Sequence, residues 1–151
     1  MSPAAATATR SVIVERDFAH PPEKVWRALT QGPLLGEWLM RNDFQPVVGH
    51  RFNFRSQPIP GKWNGVTDCE VLVVEPRQTL SYSWNASGEE AANGTKTVVT
   101  WTLTPTPGGT HLRMEQAGFR SGPADDGFYQ GAQYGWQKML GSLEAVLQRL
   151  G

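Results

Sequence analysis

The sequence predicts an α+β domain, a curved antiparallel sheet wrapped around one long C-terminal helix. Three observations predict it. Apolar residues alternate with polar ones through most of the chain, the period of a half-buried strand. The connections between these segments are short turns, which suit hairpins and are too brief for parallel crossovers. The final segment alone carries a stripe of helical period.

Val12, Val14 and Phe18 alternate with Ile13, Glu15 and Asp17, which predicts a first strand over about 11–19. His20-Pro21-Pro22-Glu23 follows, and proline with an acidic residue suits a first helical turn. Val25, Trp26 and Leu29 then predict a short amphipathic helix, Gly32-Pro33 interrupts it, and Leu34 to Leu39 predict a second one.

From residue 44 the strands come quickly. Phe52 and Phe54 face one way, and Pro58 to Gly61 turn the chain. Cys69, Val71 and Val73 share one face, as do Leu80, Tyr82 and Trp84. Asn93-Gly94 is the turn signal of a polar loop. Val99, Trp101 and Leu103 and then Leu112, Met114 and Gln116 complete a meander with one buried and one wet face. Trp136, Leu140, Leu143 and Leu147 form the helical stripe, which Phe128 and Ala132 extend upstream. A helix over 127–149 would be roughly 34 Å long, enough to span a sheet. Gly131, Gly135 and Gly141 weaken it, each by up to about 1 kcal/mol.

The 151 residues fit one domain, read as 11–151 after a flexible tail at 1–10. Fourteen basic and fourteen acidic residues are dispersed. This gives no clustered basic face for nucleic acid. No apolar run approaches the roughly 20 residues of a membrane span. The N-terminus lacks the charged and apolar regions of a signal peptide. Cys69 is the single cysteine, so no intrachain disulfide forms. A cytoplasmic monomer or homodimer is expected.

The residues now carry a resemblance. Arg16-x-Phe18-x-x-Pro21-Pro22-x-x-Val25-Trp26 resembles the start of the homologues of the activator of heat-shock protein 90 ATPase, and Leu35-x-x-Trp38-Leu39 resembles their second helix. Val71-x-Val73-x-x-Pro76-x-x-x-Leu80-x-Tyr82-x-Trp84 is similar to their central strand–turn–strand. Gly109-Thr110-x-Leu112, Gly118-Phe119 and Gly135-Trp136 with Leu140 and Leu143 are similar to their closing hairpin and helix. The similarity spans roughly residues 11–150. It implies the helix-grip fold of the START-like (SRPBCC) superfamily, whose members often hold a cavity between sheet and helix. No stretch resembles the further chaperone-binding domain of the eukaryotic activator. Where many relatives carry a histidine before the Gly-Phe of the closing strand, this chain has Gln116.

Candidate chemistry is sparse. His20, His50 and His111 are scattered and make no metal pattern with Cys69. No phosphate loop or nucleophile elbow is present, and no cofactor is expected. Cys69 reads as a small buried hydrophobe. Arg16 shares the inner face of Val14 and Phe18. It needs an ion pair with a carboxylate such as Glu70 or Glu115, or an edge position in water, or else it anchors a ligand's carboxylate or phosphate. Six tryptophans either fill a large-residue core or line a cavity.

The leading expectation is a binder of a small hydrophobic molecule between sheet and C-terminal helix. Its predicted lining is Arg16, Phe54, Tyr82, Trp84, Trp101, Met114, Gln116 and Trp136, with Trp38 and Trp63 at the rim. A second expectation is a module that regulates a chaperone or another protein partner, with a filled core and an exposed patch around Phe44 to Val48. A third is a cyclase- or hydrolase-type enzyme with Glu70 or Glu115 as its acid–base group.

Overall fold

The computed structural model describes residues 9–60, 64–88 and 94–150. Residues 1–8, Gly61, Trp63 and Asn93 lie outside the described residues, and with them most of the expected tail, the end of one turn, one rim residue and half of the other turn signal. The elements run β1 (Thr9–Phe18), α1 (Pro22–Thr30), α2 (Gly32–Trp38), β2 (Arg41–Asn42), β3 (Arg51–Arg55), β4 (Val66–Glu75), β5 (Thr79–Ala86), β6 (Lys96–Thr106), β7 (Gly109–Arg120) and α3 (Pro123–Arg149). Among the described residues the strands form one seven-stranded sheet in the order β1-β7-β6-β5-β4-β3-β2. Every pairing is antiparallel. This is the α+β helix-grip fold: the sheet curves around α3, and α1 and α2 close one end.

Period two sets most of the inner face. Val12, Val14 and Phe18 of β1, Val99, Trp101 and Leu103 of β6, and Leu112, Met114 and Gln116 of β7 are all buried. β1 begins at Thr9, so Thr9 and Arg10 belong to the sheet and not to a tail. Their partners are Arg120 and Phe119 of β7.

Two bulges re-aim side chains. Between Val71 and Val73 the register of β4 slips against β5. Leu72 and Val73 are therefore exposed, and Val74 packs on the core. Val73 thus leaves the face that strict alternation gives it, because an extra residue on one strand rotates everything beyond it. In β7, Gly118 has φ 109°, and a Cβ there would sit 2.9 Å from the Lys96 carbonyl oxygen. Glycine at this position shifts the inner face from Gln116 to Phe119, which is buried.

The helical bracket is tied to the core by polar hooks. Trp38 Nε1 donates to the Ala28 carbonyl at 2.9 Å, locking α2 onto α1, and its ring meets Trp101 edge-on at 5.7 Å. Phe44 is buried against Phe52 and Tyr82. This corrects the expected surface patch at Phe44, while Gln45, Pro46, Val47 and Val48 are exposed.

α3 starts four residues before the expected 127 because Pro123 occupies its first turn. Asp125 in that turn is fully buried. Its oxygens accept from the Arg120 backbone N–H at 2.7 Å, from the Arg120 guanidinium at 2.8 Å and 3.1 Å, and from Thr95 Oγ1 at 3.0 Å. Arg10 reaches from β1 to Asp126 and lies 4.2 Å over the Tyr129 ring. These contacts pin the start of α3 to the end of β7. Farther along, Leu140, Leu143, Val146 and Leu147 seal the helix against the sheet and α1.

Candidate binding cavity

The first half of α3 does not close against the sheet. Between them lies a cavity of about 800 Å³, open to solvent. Its helix wall is two rows, Gly127-Gly131-Gly135-Met139 and Phe128-Ala132-Trp136, each with four-residue spacing. Its sheet wall comes from Thr67 on β4, Trp84 to Ala86 on β5, Gln116 and Phe119 on β7, and Thr95 before β6. Leu39 and Met40, after α2, close one end, and Ile59, Asn64 and Ser87 border it as well. No described residue around it carries an ionisable side chain.

Most polar groups in the wall are already engaged. Trp136 Nε1 donates to Gln116 Oε1 at 2.8 Å, and Gln116 Nε2 donates to Thr97 Oγ1 at 2.9 Å. Thr97 Oγ1 donates to the Trp84 carbonyl at 2.7 Å. This relay fixes the Gln116 amide and holds Trp136 against Trp84, with ring centroids 5.2 Å apart. Asn64 and Ser87 bond each other, and Ser87 Oγ also donates to the Val66 carbonyl at 2.9 Å.

Thr67 differs. It is 95% buried by its 5% exposure, it faces the cavity, and its hydroxyl bonds no other described residue. The Trp84 indole N–H also has no acceptor among the described residues.

The eight sequence-predicted site residues separate into three groups. Trp84, Gln116 and Trp136 stand in the cavity wall. Phe54, Tyr82, Trp101 and Met114 are completely buried behind it, in a packed aromatic layer. Trp101 Nε1 donates to Tyr82 Oη at 2.9 Å, and burial raises the Tyr82 phenol pKa despite that bond. This hydroxyl is a neutral acceptor with no path to acid–base work.

Arg16 is the clear departure. It is exposed, at the far end of β1, with its guanidinium 5.6 Å from the Phe18 ring and beside Gly141. It pairs with neither Glu70 nor Glu115, which bridge to Arg51 at 3.5 Å and Arg113 at 3.4 Å. Edge strands let a long side chain on the inner face escape around the helix into water. Trp38 is buried in the core and does not rim the cavity.

The remaining titratable groups lie elsewhere. Cys69 is buried, and desolvation, with Asp68 and Asp43 adding to it, pushes its thiol pKa up. His111 sits on the outer face between Glu15 and Asp17, at 2.8 Å and 2.7 Å, and those hydrogen bonds raise its pKa. His20 is bonded to Glu144 at 2.8 Å. No group of His, Cys, Asp and Glu among the described residues could hold a metal ion.

Sequence reading missed Thr67, Phe119 and the glycine row. Period-two logic does include Thr67 with Cys69 and Val71, but a threonine on an apolar stripe gives little signal. The sequence reading takes Gly131, Gly135 and Gly141 only as weaknesses of the helix and leaves Gly127 out.

The architecture and the cavity can be compared with known proteins. A family model described as "Activator of Hsp90 ATPase homolog 1-like protein" matches residues 19–148. The chain belongs to this family. Among solved structures, a Mesorhizobium loti protein is 56% identical, with a TM-score of 0.83, over 94% of this chain and 99% of that one. A Bacillus halodurans protein solved in solution is 25% identical, with a TM-score of 0.74, over 93% of this chain and 99% of that one. CalU16 from Micromonospora echinospora is 21% identical, with a TM-score of 0.71, covering 93% of this chain and 78% of that one, and shares the fold. No curated protein matches the chain. No helix of the described residues is long and apolar enough to cross a membrane.

Proposed function

We propose that this protein binds a small hydrophobic or amphipathic molecule in the cavity between the sheet and the first half of α3. The observation that carries this reading is the cavity itself. Its volume of about 800 Å³ falls within the roughly 300–1,000 Å³ of typical small-molecule sites. Its wall is mainly apolar, with a few placed polar groups that would orient a guest. Membership of a helix-grip family supports the same reading, since this architecture often encloses ligands.

The family description names a chaperone ATPase, so a protein partner is the rival reading. On the surface proposed for it Phe44 is buried, and Val47 and Val48 are the exposed large apolar residues. Two valines fall well short of the few hundred Å² of contiguous apolar surface that marks an interaction site. A cyclase- or hydrolase-type reaction would require an acid–base group in the cavity. Glu70 and Glu115, the carboxylates considered for it, stand outside its wall and are paired with arginines.

The test is native mass spectrometry of the purified protein beside the same sample denatured. The binding reading expects a reproducible extra mass of a few hundred daltons, or retention of the uncharged dye Nile red at micromolar concentration. A clean apo mass with no dye binding would overturn it.

A further inference from the structure

The glycine row of α3 has no structural reason to be glycine. A Cβ at Gly127, Gly131 or Gly135 would meet no atom within 4 Å beyond the neighbouring backbone of its own helix, and none of the three has a positive φ. Glycine inside a helix is unfavourable by roughly 0.8–1.0 kcal/mol relative to alanine. Gly127 and Gly131 are exposed and Gly135 half-buried, so the three keep one helical flank bare along the open side of the cavity, at a cost to helix stability that packing does not explain. Opposite stands Thr67, nine-tenths buried, facing the same space with its hydroxyl bonded to no other described residue. Its oxygen is reached from the open cavity, so it is free to bond a guest. Trp84 and Trp136 present ring surfaces at the side of the same space.

We infer that the bare face of α3 and Thr67 form one seat for an uncharged ligand with a flat apolar body and a hydroxyl or carbonyl oxygen. The inference rests on the binding reading above and sharpens it. The missing side chains leave width for a flat group to lie along the helix, against the indoles. Thr67 Oγ1 can donate to a carbonyl or accept from a hydroxyl, so either oxygen completes it. An anionic head group is disfavoured, because no described residue of the wall offers a counter-charge and an unpaired buried charge is very costly.

The test is a Nile red binding assay on the full chain, with 2-naphthol, 2-naphthoate and naphthalene as competitors, plus thermal melts. In the natural protein, 2-naphthol should compete at least about tenfold better than 2-naphthoate. Gly131→Leu puts an apolar side chain into the seat on a Cβ that meets no neighbouring atom within 4 Å. It should keep or raise the melting temperature while weakening Nile red at least about tenfold. Thr67→Val removes only the hydroxyl. It should leave the melting temperature unchanged or higher, weaken 2-naphthol about fivefold, and leave naphthalene unaffected.

Equal competition by 2-naphthoate, undiminished Nile red binding in Gly131→Leu, or equal losses of 2-naphthol and naphthalene in Thr67→Val would each overturn the inference while the cavity remains a binding site. Failure of the natural protein to bind any of these uncharged probes would overturn the binding reading, and this inference with it.

Discussion

The two halves of α3 share one helix and one sheet, yet they do opposite things. The second half places Leu140, Leu143, Val146 and Leu147 on the sheet side, and all four are buried. The first half carries Gly127, Gly131 and Gly135 along the flank that borders a cavity of about 800 Å³, with Gly127 and Gly131 exposed. The contrast separates two tasks. Large side chains at four-residue spacing make the helix a lid on the core. Their absence at the same spacing makes it a wall of a cavity, while Arg120 and Asp125 hold that wall in position.

The largest test of this contrast is on the packed half. Leu143→Ala should cost about 3 kcal/mol, the usual range for a fully buried leucine being roughly 2–5. Urea unfolding would measure it. Because Leu143 is outside the cavity wall, Nile red affinity should stay within about twofold at temperatures where the variant is folded.

The clamp at the start of α3 comes next. Asp125→Asn should cost on the order of 2 kcal/mol, because a buried carboxylate loses its charge-assisted bonds. Here pH gives an independent signature. The hydrogen bonds from Arg120 hold the Asp125 carboxyl below its ordinary value. The unfolded chain, with an ordinary aspartate pKa of about 3.9, therefore binds that proton first. The stabilisation is complete above that value and is lost as pH falls toward the folded one. Chemical denaturation between about pH 5 and 2 should show a steep acid limb in the natural protein. The limb should be shallower in the asparagine variant, and equal slopes would remove the clamp from the account.

The smallest expected effect has the opposite sign. Gly131→Ala should raise stability by just under about 1 kcal/mol, since the added methyl group meets nothing and the helix gains propensity. A loss of stability would mean that the bare face is required by packing, and the comparison between the two halves would fail.

Much of the packed half was legible in the sequence and less of the open half. Trp136, Leu140, Leu143 and Leu147 announce a buried stripe because burial selects large apolar residues at the helical period. The alternation in β6 and β7 likewise fixes which residues face inward. A cavity is defined by what is not there, and an aromatic residue reads the same whether it lines space or fills it. Trp84 stands at the cavity while Tyr82, two residues earlier on the same face, is sealed beneath it. The difference lies in the curvature of the sheet and the placement of α3, which depend on Gly118, the Asp125 clamp and other distant contacts. Arg16 shows the same limit. Alternation gives its face correctly, but only the edge position of β1 beside Gly141 shows that it reaches water.

The central claim is that the glycine-lined half of α3 and Thr67 bound a ligand seat. An amide-detected NMR titration of the isotope-labelled protein with 2-naphthol tests it most directly. The account predicts saturable shifts concentrated at Thr67, Trp84, Gly127, Gly131 and Gly135, with Leu143, Val146 and Leu147 unmoved. Shifts centred on Val47 and Val48, or none at saturating probe, would contradict it.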